Sequence, residues 1–163
     1  MNKKIRLGIL GGGGDSLIGV LHRVAANMFD KYEIVGGVFN PNVEENIEFA
    51  KKIGLNTSRI YKDFETLIEE ESKLHSDQRI QVVSVLTPNF LHYPMAKKLL
   101  ENDFHVICEK PLTTTYDEAL DLYKIQKEKN AVFAVTHTYT GYPMVRQMTK
   151  MIAEGIIGNI QRV

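Results

Sequence analysis

Four consecutive glycines, residues 11–14, follow directly on a short apolar run near the N-terminus. A glycine-rich turn between a strand and a helix lets the backbone approach a phosphate group, whose charge is then stabilised by amides at the helix N-terminus. The usual spacing is G-x-G-x-x-G, and Gly11 and Gly13 match its first two positions, whereas Ser16 occupies the third. We therefore expect a longer loop in which Gly19 takes the helix-packing position. The context favours dinucleotide binding over a ligand-free turn.

The predicted phosphate loop has two further members. Gly12 lies inside the turn and Ile18 opens the helix, so we assign both to cofactor binding together with Gly11 and Gly13. Asp15 is negatively charged and would repel a pyrophosphate. We expect it to face solvent or to cap the helix.

Apolar runs of strand length alternate with amphipathic helical patterns along nearly the whole chain. Strands are predicted over residues 5–10, 32–39, 59–61, 80–86, 106–108 and 131–135, and helices over residues 18–29, 43–53, 64–74, 90–101, 116–129 and 142–154. The first helix carries one apolar face, formed by Leu21, Val24, Ala25 and Met28. This β-α order predicts an α/β fold with a doubly wound, mostly parallel sheet.

Caps and glycines mark several helix boundaries. Asp63 is a predicted N-cap, and Thr115 begins a capping box with Glu118. Gly54 follows a predicted helix in the position where helices commonly end, as does a glycine after residues 142–154. Residues 158–163 are typical of a strand that has only begun, so the chain is expected to hold one domain and the start of another.

The length and composition of the chain limit the kinds of ligand and partner that it is expected to bind. The 163 residues suffice for one such domain with a proper core, but not for a full second domain. Twenty basic and twenty acidic residues leave no net charge, and no basic block stands out, so neither nucleic acid nor a membrane surface is an expected partner. A single cysteine, Cys108, excludes an internal disulfide framework, and the absence of a signal-peptide pattern favours the cytoplasm. No metal-ligand spacing is present, so we expect no metal site.

Polar residues follow two of the later strands. Glu109 and Lys110 come after residues 106–108, and His137 and Tyr139 come after residues 131–135. In a doubly wound sheet, ligands bind outside the carboxyl ends of the strands, so these side chains are expected to share one crevice with the phosphate loop. We favour a functional Lys110 over an ordinary surface lysine because of this placement.

The end of the second strand is where an acidic residue would bind the adenosine ribose hydroxyls and disfavour a 2′-phosphate. Phe39 and Asn40 occupy that position. Asn40 can bond the hydroxyls without repelling a phosphate, and no Arg or Lys stands immediately beside it. The sequence therefore leaves NAD and NADP both open as cofactor. Asn40 precedes a proline and is alternatively only a turn former.

Three motifs in this order resemble the Gfo/Idh/MocA oxidoreductases. They are Gly11-x-Gly13 with Gly19-Val20-Leu21-His22, then Thr87-Pro88-Asn89-Phe90-Leu91-His92, then His105-Val106-Ile107-Cys108-Glu109-Lys110-Pro111. The resemblance covers nearly the whole chain. It implies NAD(P)-dependent oxidation or reduction of sugars, inositols or related polyols by a two-domain protomer.

The same resemblance implies a domain organisation. Residues 1–140 would form the dinucleotide-binding Rossmann domain, and residues 141–163 the linking helix and the first part of an α+β substrate domain. That second domain shapes the substrate pocket and often mediates oligomerisation in the family, so the complete protein is expected to be a homo-oligomer through it.

The resemblance further implies cofactor contacts. Thr87, Pro88 and Asn89 would border the cofactor after the strand over residues 80–86. Glu109 and Lys110 would lie beside the nicotinamide ribose. His92 is open between contact with the cofactor edge and a helix-capping role.

Substrate contacts are also implied. Lys110 would reach the reacting hydroxyl as the catalytic residue, and His137 and Tyr139 would line the substrate side. The family's usual general base is a histidine of the second domain, beyond Val163, so the fragment alone is expected to be inactive. His22 is expected to be a packing residue without a functional role.

Two function classes stay open. The first is the cofactor domain of a polyol or sugar dehydrogenase, and the second is a dinucleotide-binding sensor or regulator without turnover. Some relatives in the family are instead cofactor-assisted glycosidases. The Glu109-Lys110 pair favours chemistry, because a sensor needs the phosphate loop but not a lysine at the nicotinamide.

Overall fold

A computed structural model describes residues 3–162. Strands and helices alternate as β1 (Ile5–Gly11), α1 (Leu17–Met28), β2 (Tyr32–Val38), α2 (Val43–Lys52), α3 (Phe64–Lys73), β3 (Val82–Leu86), α4 (His92–Glu101), β4 (His105–Cys108), α5 (Tyr116–Glu128), β5 (Phe133–Val135) and α6 (Pro143–Ala153). Short 3₁₀ turns cover Thr57–Arg59, Asn89–Leu91 and Thr138–Gly141. The predicted β-α order is confirmed.

The strands form one parallel sheet in the order β2-β1-β3-β4-β5. The chain goes from β1 to β2 on one side and then crosses back to β3 on the other, which places a switch point between β1 and β3. In register, Gly11 pairs with Leu86, while Cys108 lies opposite both Val85 and Val135. The loops that follow β1, β3, β4 and β5 therefore begin at the same edge, as the predicted doubly wound sheet requires.

Strand residues alternate between two apolar clusters, one on each face of the sheet. Val83 and Val106 pack against helical residues such as Leu67, Leu99 and Leu122 in the larger cluster. Leu7, Ile9 and Val82 belong to the smaller cluster, which includes Ala26 of α1. Within residues 3–162, no helix is both long and apolar enough to cross a membrane.

The buried carboxylate of Glu71 holds the segment between α2 and α3 in place through hydrogen bonds. Glu71 of α3 is fully buried and accepts hydrogen bonds from the Arg59 guanidinium (Nη2 to Oε2, 2.6 Å), the Tyr61 hydroxyl (2.5 Å) and the Ile80 amide (2.6 Å). Burial, together with the neighbouring Glu71, raises the pKa of Tyr61 to about 12. The contacts tie residues 59–61 to the entry of β3.

The predicted strand over residues 59–61 is wrong. The segment forms a 3₁₀ turn followed by a single bridge between Gly37 and Ile60. The Tyr61 amide still donates to the Gly37 carbonyl, but the Tyr61 carbonyl accepts from the buried Asn46 side chain at 2.8 Å. Because the Asn46 side chain occupies the Tyr61 carbonyl, that carbonyl is not available for strand pairing, and the pairing with β2 does not continue past Ile60.

The strand predicted over residues 158–163 is also absent from the described part of that segment, residues 158–162. None of the five strands described above pairs with it, and an extended segment without a hydrogen-bonded neighbour does not form a strand. Val163 lies outside the described residues.

The face of α1 that packs against the rest of the protein is not the apolar face predicted from the sequence. Leu21, Val24 and Met28 are 51, 53 and 64% exposed, whereas Gly19 and Ala26 are the buried residues of the helix. A Cβ on Gly19 would lie only 1.9 Å from the Gly12 carbonyl oxygen, so this side of the helix must contact the glycine loop. That contact fixes the helix rotation and leaves the predicted apolar face outside.

Candidate functional site

The glycine loop begins where β1 ends. Gly11 and Gly12 have φ angles of 78° and 68°, in the left-handed region that favours glycine. The Gly13 amide donates to the Phe39 carbonyl at 3.2 Å, and a Cβ on Gly13 would lie 2.6 Å from that oxygen. The loop backbone therefore packs directly against the end of β2 without side chains between them.

The start of α1 is capped by the residue in the third motif position. The Ser16 hydroxyl accepts from the Gly19 amide at 3.2 Å, and Gly19 packs on Gly12 as the sequence predicted. Asp15 is exposed, which agrees with the solvent-facing alternative. Ile18 is partly buried in the first helical turn. The Arg23 guanidinium donates a hydrogen bond to the Gly12 carbonyl at 2.7 Å and so stabilises the glycine loop.

A cleft of about 590 Å³ opens along the carboxyl edge between the glycine loop and the ends of β2 and β3. The residues predicted to bind cofactor that line it are Gly11, Gly12, Gly13, Phe39, Asn40, Thr87 and Pro88. Bare backbone and a helix N-terminus at one end of such a cleft suit a pyrophosphate. The residues present thus fit a dinucleotide.

The side chain of Asn40 is engaged within its own loop. Its Oδ1 accepts from the Asn42 amide at 2.8 Å, and its Nδ2 donates to Glu45 Oε2 at 2.7 Å. These bonds support the turn-forming alternative, and they pair the Asn40 amide with the neighbouring Glu45 carboxylate. The Phe39 side chain is buried, and its ring packs against Phe49 with centroids 5.4 Å apart.

The structure buries His92 between two loops, where the ring contacts their backbone, and a contact with the cofactor stays a prediction. The residue is 1% exposed, with Nδ1 at 2.8 Å from the Pro111 carbonyl and Nε2 at 2.9 Å from the Thr87 carbonyl. Both ring nitrogens are therefore occupied by backbone. The ring links the loop after β3 to the loop after β4. Asn89 is partly buried and starts the 3₁₀ turn ahead of α4.

Glu109 is the centre of a hydrogen-bonded network at the end of β4. Its Oε1 lies 2.9 Å from His22 Nε2 and accepts from the Thr136 hydroxyl at 2.6 Å, while its Oε2 accepts from the Lys110 amide at 3.2 Å. Burial acts to raise the pKa of the Glu109 carboxyl, but the bonds from Thr136 and His22 hold that pKa below its ordinary value. The ionised carboxylate is the stable form at neutral pH.

Lys110 and the predicted substrate residues lie in loops from adjacent strands. Lys110 is exposed, and within residues 3–162 its ammonium makes no hydrogen bond or ion pair. His137 and Tyr139 are exposed beyond β5, and the Tyr139 ring packs edge-on against Tyr142 with centroids 5.6 Å apart. The structure thus brings Lys110 and the start of this loop to one edge of the sheet, where both are exposed.

Two other kinds of reactive group, a thiolate and a metal ligand set, can be examined at this edge within residues 3–162. Cys108 is fully buried, and burial raises the pKa of its thiol to about 12, as expected for a small strand residue. In the part of the chain that the structure describes, no three His, Cys, Asp or Glu side chains cluster in a way that could hold a metal ion.

Sequence reasoning missed His22 and Thr136 as members of the site. His22 is 87 residues from Glu109 in the chain, so their contact exists only in the folded sheet. One feature of the sequence could have indicated that His22 faces the site. His22 follows Gly19 by three residues and precedes Ala26 by four, which places all three on the helix face that packs on the loop and sheet.

A parallel sheet with a switch point, a glycine loop and a capped helix beside a cleft define an NAD-binding Rossmann domain. The sequence pattern of the oxidoreductase family with this fold, Gfo/Idh/MocA, matches residues 5–150, and the chain belongs to that family. The resemblance inferred from the motifs is confirmed.

Three proteins show how similar this chain is to other proteins of its kind. The chain is 35% identical over 164 residues to the uncharacterized oxidoreductase YfiI of Bacillus subtilis, and 32% identical over 162 residues to levoglucosan dehydrogenase of Pseudarthrobacter phenanthrenivorans. These matches cover 100% and 97% of this chain. An inositol dehydrogenase homolog from Azotobacter vinelandii, solved with NADH and myo-inositol, superimposes with a TM-score of 0.92 at 39% identity over 97% of this chain. The chain spans 41, 39 and 41% of their respective lengths.

Proposed function

We propose that this chain is the cofactor domain of an oxidoreductase that transfers hydride between nicotinamide and a sugar, inositol or related polyol. The observation that carries the proposal is the placement of Glu109 and Lys110 at the end of β4, on the sheet edge that also holds the glycine loop. The names of the two characterised relatives, which concern levoglucosan and myo-inositol, support this substrate class.

The switch point orients the proposed cofactor. A dinucleotide lies across the point where strand order reverses, with its pyrophosphate at the N-terminus of α1. The adenosine half would then occupy the cleft toward Phe39 and Asn40. The nicotinamide half would extend past Thr87, Pro88 and Asn89 toward Glu109 and Lys110.

Lys110 has the chemistry that the proposed reaction needs. The bound nicotinamide would supply the hydride acceptor or donor. The Lys110 ammonium, free of protein partners among residues 3–162, can stabilise negative charge that develops on the substrate oxygen. His137 and Tyr139 are proposed substrate contacts because their loop follows the adjacent strand.

Calorimetry with NAD and NADP tests the cofactor assignment on the chain itself. We expect weak binding of at least one, since the phosphate loop and the strand-end residues lie within the chain. Discrimination between the two should stay within about 1–2 kcal/mol, because Asn40 replaces the usual acid. Absence of binding to either at millimolar concentration would refute the proposal, and a much stronger preference would show that another residue reads the ribose.

The alternative of a sensor without turnover is less well supported. A lysine whose ammonium makes no contact within residues 3–162, beside a buried glutamate, is not required for dinucleotide binding alone. Assembly as a homo-oligomer through a second domain, and a cytoplasmic location, stay predictions.

A further inference from the structure

The Glu109 carboxylate is held by side chains from two parts of the chain, α1 and the loop after β5. His22 on α1 contacts Oε1 at 2.9 Å, and Thr136 after β5 donates to the same oxygen at 2.6 Å. The side chains of His22 and Glu109 are only 14 and 12% exposed, so solvent cannot easily substitute for either contact. Oε1 is therefore saturated by protein donors.

The second oxygen keeps free capacity. Oε2 accepts one bond within the structure, from the Lys110 amide at 3.2 Å. A carboxylate oxygen can accept two hydrogen bonds, so one position remains on the oxygen beside Lys110. A ligand hydroxyl is the complementary donor.

The surroundings of His22 also fix its ring. The Ser84 hydroxyl lies 3.4 Å from Nδ1 on the side opposite Glu109. A neutral imidazole with its proton on Nε2 satisfies both neighbours, because Nε2–H donates to the carboxylate while Nδ1 accepts from the hydroxyl. His22 thus presents a directed donor to Glu109 from the helix that starts at the phosphate loop.

We propose that His22 is a positioning residue for the cofactor, holding Glu109 so that its free Oε2 accepts a hydroxyl of the ribose on the nicotinamide side. This inference rests on the proposed orientation of the dinucleotide, with its nicotinamide half at the end of β4. It assigns a function to a histidine that packing alone does not explain.

The test compares binding of NAD with binding of ADP, which has the pyrophosphate and the adenosine but lacks the nicotinamide nucleoside. Calorimetry would use the unchanged chain and the variants His22→Leu, His22→Gln and Thr136→Val. Glutamine carries its amide nitrogen as many bonds from Cβ as Nε2 of histidine, so it can restore the donor to Glu109. His75→Leu is the matched control, since His75 pairs with Asp77 at 2.6 Å on an exposed surface.

We expect His22→Leu to weaken NAD binding by roughly ten- to one-hundred-fold, the effect of losing a hydrogen bond to a charged group, with ADP binding almost unchanged. His22→Gln should recover most of the loss, Thr136→Val should weaken NAD in the same direction, and His75→Leu should change neither ligand. Equal weakening of NAD and ADP would overturn the proposal in favour of a merely structural role. Unchanged NAD binding would overturn it too.

Two further outcomes keep the inference separate from the proposed function. If the unchanged chain binds ADP as tightly as NAD, the inference fails while the dinucleotide site stands. If it binds neither, the proposed function fails and the inference with it. Should His22→Leu not fold, as judged by thermal unfolding, Thr136→Val decides, and unchanged NAD affinity in that variant overturns the proposal.

Discussion

Glu71 and Glu109 are the buried carboxylates among residues 3–162, and they differ in what their oxygens bond. Burying a carboxylate is unfavourable unless hydrogen bonds compensate for lost water. Glu71 receives donors from Arg59, Tyr61 and Ile80, all from the protein. Glu109 Oε2 accepts one bond, from the Lys110 amide, at the carboxyl edge of the sheet. Glu71 therefore has a structural role, whereas Glu109 keeps the acceptor capacity that the proposed ligand contact needs.

Replacing Lys110 by methionine tests its proposed catalytic role in a protein that carries this domain together with a substrate domain. The substitution keeps most of the stem but removes the ammonium that would stabilise charge on the substrate oxygen. We expect kcat to fall by roughly two to four powers of ten, while the Kd for cofactor changes far less. Steady-state kinetics and calorimetry measure the two quantities.

Lys124→Met, on the exposed face of α5, is the control for the charge change. A Lys110→Met enzyme with near-normal kcat would reduce Lys110 to a surface residue and favour the sensor alternative.

The raised pKa of Tyr61 predicts that the folded chain loses stability at alkaline pH. Its pKa is about 12 in the folded chain against 10.0 for a free tyrosine, so between these values the folded state binds more protons than the unfolded one. The contribution of this group is constant below about pH 10 and falls by about 2–3 kcal/mol as the pH rises toward 12. Tyr61→Phe should remove that part of the decline in urea unfolding followed from pH 9 to about 12. An identical decline in both proteins would contradict the assignment.

At the scale of elements, α1 is positioned by one close contact. Gly19 meets the Gly12 backbone where no Cβ fits, with a Cβ-to-oxygen distance of 1.9 Å. The same helix face carries His22 to Glu109 and Arg23 to the Gly12 carbonyl. The rotation that buries a glycine thus also assembles the site, at the expense of exposing Leu21 and Val24.

Gly19→Ala should therefore shift α1 against the loop. Alanine favours a helix over glycine by about 1 kcal/mol, so without the clash the variant would gain stability. We expect a net loss of about 1–3 kcal/mol from overpacking, together with weaker NAD binding. Gly141→Ala is the control, because a Cβ there meets nothing within 4 Å. Thermal unfolding and calorimetry give both readouts, and a stabilised Gly19→Ala chain with normal affinity would refute the contact.

At the scale of the whole molecule, the sheet edge is open in front of Lys110. Lys110, His137 and Tyr139 are exposed, and α6 buries none of its residues. A hydride transfer site needs a substrate wall and a base that exclude water, and residues 3–162 leave these three side chains exposed to solvent.

We accordingly expect the chain alone to turn over no polyol. Reduced cofactor would be followed by absorbance across a panel of inositols and sugars, with NAD or NADP supplied in excess. The full-length protein serves as the positive control. Robust turnover by the chain would mean that a base exists among these residues, and His137→Ala would then be the first variant to assay.

Local patterns in the sequence determined much of the fold. Apolar periodicity and caps such as Thr115 with Glu118 depend on neighbours within a few residues, so the β-α order and most boundaries could be predicted. The glycine loop and the strand-end position of Lys110 followed in the same way, because strand ends in a parallel sheet share one edge.

Only the tertiary structure decided which groups meet across the sheet. Strand order and helix rotation determine the His22–Glu109 pair, the Asn46 side chain that ends the pairing after Ile60, and the two backbone carbonyls beside the His92 ring. The apolar face of α1 was misassigned because periodicity measures hydrophobicity alone, whereas its rotation follows from a steric contact at Gly19. Contacts between residues far apart in the chain exist only once the backbone is placed, and for that reason the sequence indicated where the site lies but not how its carboxylate is held.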